Sequence, residues 1–517
     1  MMGQMTISAQ APLTASEQLR RASRSQLLWI GLLAGLTMLV GLVTVGSEVS
    51  PSLIAWVIYI AGAVAILLEP RYGVYLALFF TLIADKSLML WYPFVSNFSS
   101  RESIMFIGTA VKVSPLEVYL VLTILSWLAH CYVRGKLDFH AGVMTVPVVI
   151  WIAFVAFGLA YGFSRGGNMN IALWEARPMF YVPAMLILAS NLIHTRRQVN
   201  QLMWMAMTAI LIQGLVGLYT YLFLLHGQAS RIESITEHAS AIHMDSLFIM
   251  VIAAWMFRAS RAKRIALPLF AAGIIVTYMV AQRRAAFVSL GLGLVAIGMV
   301  LFMTNRKRFW QIAPVVSLVM LLYLAAFWNN QGTLGMPARA VKSILVSDSG
   351  NSQENSSNDY RVVENINNMF TIKAAPLTGV GFGRPFYIIA PMPDISFFEW
   401  WQYIVHNSIM WMWMETGIGG YFAMLVMIGI ALVFGMQTVL RMPGGDMSAI
   451  ALMAVVYIFM HFVYAYVDMS WDNQSMLYIG AMLGLLNGLD KVVARPLEQP
   501  RHIPAPRQRS MSFEVHS

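Results

Sequence analysis

Arginine, histidine and amide side chains able to handle an anionic substrate gather in two short stretches of this chain. VAQRRAAF sets Arg283 and Arg284 side by side between two apolar runs. Farther on, DYRVVENINNMFTIKAAPLTGVGFGRPF and HNSIMWMWMETGIGGY carry Arg361, Arg384, His406 and Asn407. Guanidinium forks match phosphate oxygens in pairs, and imidazole is suited to moving a proton near neutrality. Arginines so close to hydrocarbon either snorkel to headgroup phosphates or build an anion site, and both readings apply to Arg283 and Arg284. His406 opens an apolar run, as a proton-transfer group or an interfacial hydrogen bond. Asn407 is a favoured helix N-cap residue. Glu415, inside that run, is expected to face the protein interior with an arginine as partner, because an uncompensated carboxylate in hydrocarbon is costly. GVGFG at 379–383 suits a tight turn bringing backbone close to a partner. It follows no strand, so no nucleotide site is read from it.

Composition names the scaffold that must position these groups. Of 517 residues, 58% are hydrophobic and only 11% charged, and the mean hydropathy is +0.66, which is the signature of a polytopic membrane protein. The net charge of +10 is explained by basic loops beside anionic lipid, and no nucleic-acid partner is expected. The single cysteine, Cys131, excludes an intramolecular disulfide framework and any cysteine metal cluster. The expected fold is all-α, with about 12–14 transmembrane helices and one large extracytoplasmic loop containing short helices. Its parts are a cytoplasmic tail at 1–26, membrane helices over 27–328, the loop at 329–405, membrane helices over 406–490 and a disordered cytoplasmic tail at 491–517. The first run, 27–46, is expected to be an uncleaved anchor. Further runs include 73–92, 178–194, 407–438, 448–467 and 473–489. Arg134, Arg196, Arg264, Arg306 and Arg441 mark the cytoplasmic ends. That alternation puts Arg283, Arg284 and the loop 329–405 outside, in the periplasm of a Gram-negative cell.

The loop divides by composition. VSDSGNSQENSSN at 346–358 has almost no apolar side chains and is expected to be a flexible, lid-like excursion. YRVVENINNMFTIKA at 360–374 spaces Val362, Ile366, Met369 and Phe370 as a helix does, predicting a short amphipathic helix across the outer face with Arg361 in its first turn. The acidic residues Asp348, Glu354, Asp359, Glu364, Asp394 and Glu399 are scattered through segments expected to be flexible and do not resemble a divalent-cation cage. Upstream, Glu175 and Arg177 are expected to pair with each other.

Taken in order, the Arg283-Arg284 turn, Arg361 followed by APLTGVGFG, and HNSIMWMWMETGIGGY resemble the O-antigen ligase/polymerase family of membrane glycosyltransferases, over roughly 270–435. The resemblance implies a donor glycan on undecaprenyl pyrophosphate, a glycan or lipid A-core acceptor, a site in the lipid bilayer of the inner membrane facing the periplasm, and neither nucleotide sugar, cofactor nor metal. The family's single turn arginine is matched by two here; Arg284 is favoured because it precedes the small residue of the next helix. On this resemblance Arg284 and Arg361 neutralise the leaving diphosphate, His406 accepts the acceptor's proton, and Arg283, Arg384, Asn407 and Glu415 complete the substrate site. A single displacement would invert the anomeric centre. A transporter or flippase of lipid-linked glycan is the competing class; no inverted repeat is evident, and the long outer loop fits transport poorly. Protein O-oligosaccharyltransferases share the same donor chemistry, and the sequence does not distinguish ligase, polymerase and protein transferase.

Overall fold

With no water in hydrocarbon to satisfy the backbone, long apolar runs must close their hydrogen bonds within helices. In the computed structural model of this chain they do, and no strand occurs among the described residues. The structure describes residues 51–85, 88–228, 235–346, 352–393 and 400–494. The N-terminal tail, the run 27–46, the tail beyond 494, Asp348, Asp394, Glu399 and the side chain of Glu354 lie outside the described residues.

In chain order the helices are α1 (Pro51–Leu68), α2 (Arg71–Ile83), α3 (Pro115–Val133), α4 (Gly142–Ser164), α5 (Met169–Leu192), α6 (Arg196–Tyr219) and α7 (Ser240–Met256). There follow α8 (Arg261–Val280), α9 (Arg284–Thr304), α10 (Arg306–Phe327), α11 (Met336–Leu345) and α12 (Ser352–Ala374). The last three are α13 (Ser408–Arg441), α14 (Asp446–Val467) and α15 (Asn473–Ala494). Among the described residues eleven helices are long and apolar enough to cross a membrane; the shorter apolar α2 and α7 bring the described set into the expected range. Helix starts follow capping chemistry: Ser114 with Glu117 and Thr195 with Gln198 form capping boxes, and Asn168 caps α5.

Burial separates core from periphery. In their most apolar windows α14 is 72% buried and α15 83%, whereas α10 is 0% buried. The core therefore lies around α14 and α15. α15 packs along α5, where Gly480 and Gly484 let it approach the backbone of Val182 and Leu186, as small residues do between membrane helices. α13 packs on α4 and α14, and α14 on α7 and α9. This arrangement brings the start of α13, the turn before α9 and the connection after α14 together.

Three expectations are corrected. The run 73–92 is helical only to Ile83, and the chain then leaves the helix at Ala84 in extended geometry. Buried Asp85 draws the backbone N–H groups of Leu88 and Glu237 onto its carboxylate, an alternative to the helical ladder. The polar segment expected to be a flexible lid is helical from Ser352 onward, because α12 begins there and runs unbroken to Ala374. Arg284 holds this segment by a hydrogen bond to Asn358 at 3.0 Å, the tertiary contact that composition does not display. Finally, Arg177 pairs with Glu117 at 3.1 Å and not with Glu175. Residues two apart on a helix do not face each other, and Glu175 instead accepts the Gly383 N–H at 2.7 Å.

Candidate active site

The glycine-rich turn is a structural wedge. α13 is broken at Gly417, where φ is 71° and ψ is −177°, a combination open essentially to glycine alone. The break frees backbone groups inside an apolar helix, and they must find partners. The loop supplies them: Val380 N–H donates to Met414 C=O at 2.7 Å, and Ile418 N–H donates to Pro376 C=O at 3.0 Å. On the other side Phe382 N–H reaches Gly158 C=O of α4 at 3.2 Å, and Gly383 C=O accepts Asn168 N–H at 2.8 Å. The partner that GVGFG approaches is the protein's own helices α4, α5 and α13. Behind it lie two buried carboxylates, Glu175 and Glu415. Among the described residues Glu415 has no hydrogen-bond partner and no ion pair within 4 Å, so the expected arginine does not contact it directly. Half-buried Arg384 follows Gly383, and its field reaches Glu415. No hydrogen bond or ion pair joins Arg384 to the other arginines among the described residues.

The arginines converge on a residue that sequence reasoning missed. Asp468, 2% exposed, lies 3.9 Å from Arg361 Nη2 and 4.0 Å from Arg283 Nη1. Its Oδ1 accepts from His238 Nδ1 at 3.1 Å and from the Met469 N–H at 2.9 Å. The Tyr464 hydroxyl lies between the His238 carbonyl and Asp468 Oδ2. Burial pushes the Asp468 carboxyl up, but His238, then Arg361 and Arg283, outweigh it and hold the group well below the usual carboxylate range. Asp468 is therefore a fixed negative charge. Both guanidinium contacts are longer than hydrogen bonds, so neither arginine spends its donors on the carboxylate.

Each contributor is fixed from a different direction. Arg283 is the residue before α9, in a turn where Gln282 has φ 56°, a left-handed conformation unusual for a side chain. Because the helix starts at the next residue, Arg283 and Arg284 diverge: Arg283 reaches Asp468 while Arg284 reaches Asn358. His238 is carried by a connection that Asp85 anchors, through the Glu237 N–H at 3.1 Å and the Ser240 hydroxyl at 2.8 Å. The Asp468 connection is tied to the start of α13 by Ser408. The Ser408 hydroxyl donates to the Asp468 carbonyl at 3.2 Å and accepts the Ser470 N–H at 3.2 Å.

Two residues before Ser408 stands His406. Its Nδ1 is 3.0 Å from Glu364 Oε2, and its backbone N–H donates to the same oxygen at 2.8 Å. Glu364 is 1% exposed, so it lies in a packed helix face and not in the flexible surroundings expected for it. A carboxylate accepting from Nδ1–H leaves Nε2 as the ring's free lone pair. Tyr360 packs edge-on against the imidazole at 5.6 Å between centroids. Arg361 and Glu364 are three apart on α12 and so share a face, which joins the arginine group to the histidine. Asn407 caps α13 by accepting the Met410 N–H at 3.0 Å, committing its amide oxygen to the helix.

The segment that carries Arg283, Arg284, Arg361, Arg384, His406, Asn407 and Glu415 is the one that a known family shares: residues 269–425 match the family described as O-antigen ligase. Over that segment the chain is similar to the O-antigen ligase family. No curated protein matches it. His238 and Asp468 fall outside the matched O-antigen ligase segment. The available signal for both was position: each lies in a connection on the side that the charge alternation assigns to the long loop. The matched segment and the apolar helices together support a multi-pass membrane protein with O-antigen ligase-type glycosyltransferase activity.

Proposed function

We propose that this protein moves a glycan from undecaprenyl pyrophosphate to an acceptor hydroxyl, by a metal-independent inverting displacement on the periplasmic face of the bacterial inner membrane. The observation that carries the proposal is the convergence of Arg361, Arg283 and His238 around one buried carboxylate, one helical turn from the His406–Glu364 pair. Asp468 holds Arg361, Arg283 and His238 at a common point, and the two guanidinium contacts to it, at 3.9 and 4.0 Å, are longer than hydrogen bonds. Arg283 takes the role for which the family resemblance favoured Arg284 over it; Arg284 secures α12 through Asn358.

In the reaction, His406 Nε2 takes the proton of the acceptor hydroxyl as its oxygen attacks the anomeric carbon. The bond from that carbon to the phosphate oxygen breaks, and the electron pair leaves on the diphosphate. Arg361, Arg283 and His238 hold the charge that develops there, where a metal ion would otherwise stand. Glu364 fixes the tautomer and steadies the imidazolium until it returns its proton to water. One displacement inverts the anomeric configuration.

The decisive experiment uses the purified protein in detergent with a lipid-linked glycan donor, an acceptor glycan or lipid A-core, and excess EDTA. The expected product is a new glycosidic bond of inverted configuration, formed at an undiminished rate in EDTA. Movement of unaltered lipid-linked glycan across proteoliposomes, with no bond formed, would overturn the proposal in favour of a flippase. A strict Mg²⁺ or Mn²⁺ requirement would remove the arginines from the charge-neutralising role. The surface glycan of a deletion strain identifies the acceptor: loss of capped lipopolysaccharide means ligase, and retention of single repeats without long chains means polymerase.

A further inference from the structure

α12 is amphipathic with its polar face turned inward. Glu364, Asn367, Asn368 and Thr371 are at most 1% exposed, whereas Val362 and Ile366 are 58% and 47% exposed and Met369 and Phe370 37% and 43%. The inward face is occupied: Asn367 accepts the Ile389 and Ala390 N–H groups at 2.9 and 2.8 Å, and Thr371 accepts the Tyr387 N–H at 2.8 Å. The outward apolar stripe is widened by exposed Tyr387, whose ring lies 6.4 Å from that of Phe370. A helix packed this way against water would be upside down.

The stripe is continuous with a membrane helix. It runs on to Leu377, 74% exposed, whose neighbour Pro376 accepts from the Trp413 indole at 2.9 Å and the Ile418 N–H at 3.0 Å. Both donors lie inside α13, a candidate span. The C-terminal end of α12 is therefore level with the first turns of a membrane-crossing helix.

We propose that phospholipid acyl chains of the outer leaflet cover this stripe, so that α12 is half immersed in the bilayer with its polar side toward Asp468 and His406. Added to the glycosyltransferase reading, the immersion sets the depth of Arg361: it lies at the level of lipid phosphates, where the diphosphate of a membrane-anchored donor lies too. The immersion itself rests on packing and not on that reading.

The single native cysteine makes the test direct. In a Cys131→Ser background, nitroxides placed through Ile366→Cys, Met369→Cys and Ser356→Cys are read in phospholipid nanodiscs by their collisions with oxygen and with a water-soluble nickel chelate. Oxygen accessibility should exceed nickel accessibility at Ile366 and Met369, and the order should reverse at Ser356. Nickel accessibility at Ile366 and Met369 equal to that at Ser356 would overturn the proposal. So would shielding from both relaxers, which means that protein covers the stripe. If either stripe variant fails to purify as a monodisperse species, Val362→Cys reports on the same face. A lipid-exposed stripe in a protein that transfers no glycan would leave this inference standing while the functional one falls.

Discussion

Replacing Asp468 by asparagine keeps the shape of the side chain and deletes the charge that gathers Arg361, Arg283 and His238. Two unit charges about 4 Å apart interact by roughly 4 kcal/mol at an effective dielectric constant near 20. Asp468 sees two guanidinium groups at 3.9 and 4.0 Å and an imidazole at 3.1 Å. Desolvation of the carboxylate cancels much of that sum, and breaking a buried pair costs about 3–5 kcal/mol. The cost to function comes through geometry. If the displaced arginines lose one charge-assisted contact to the diphosphate between them, about 1.5–3 kcal/mol, donor KM rises roughly 10- to 100-fold at 1.4 kcal/mol per decade. The assay is steady-state transfer at saturating acceptor, with donor KM and kcat measured separately and detergent monodispersity as the folding control. The pH dependence has a definite sign. The folded carboxyl is held below its ordinary value, so its contribution to stability is present above that value and lost as pH falls through the depressed one. The stability gap between wild type and Asp468→Asn should therefore be flat near neutrality and close only in strong acid. A well-folded Asp468→Asn protein with wild-type donor KM would refute the reasoning.

Other substitutions separate the roles. His406→Ala should lower kcat by ~10²–10⁴-fold with the donor still bound, while Glu364→Gln should lower kcat and change the pH–rate profile; normal turnover in folded His406→Ala protein removes it as the base. Arg361→Ala and Arg283→Ala should each weaken donor binding as well as turnover, with lysine rescuing only in part because a point charge lacks the fork. Arg284→Ala should cost less, and a larger donor-binding loss at Arg284 than at Arg283 would reverse their assignment. Gly417→Ala places a methyl 2.1 Å from the Leu377 carbonyl at φ 71°; strain of about 1–3 kcal/mol plus the clash should lower thermal stability in detergent, and an unchanged melting temperature would show that the wedge does not hold α13 as described.

Some features were decided by the sequence alone because they depend on local physics. Backbone polar groups cannot go unpaired in hydrocarbon, so the long apolar runs from Pro51 to Ala494 had to be helices. Asn407 and Ser114 are good caps wherever they stand, and the apolar spacing of Val362, Ile366 and Phe370 predicts a helix without knowledge of its surroundings. Types were legible too: paired arginines beside a membrane and a histidine at a helix mouth are residues suited to an anionic substrate.

Partnership was not legible, because it depends on which distant segments the packing of α13, α14, α7 and α9 brings together. Asp468 is 107 positions from Arg361 and 185 from Arg283, and no local pattern links them. Arg283 and Arg284 are neighbours in sequence, yet a left-handed turn at Gln282 and a helix starting one residue later send them to different partners. Glu364 looked like one of several scattered carboxylates until α12 turned its polar face inward, where it is buried against His406. The direction in which an amphipathic helix faces is set by what covers each side. Only the tertiary structure shows that here the polar side lies within the protein and the apolar side without.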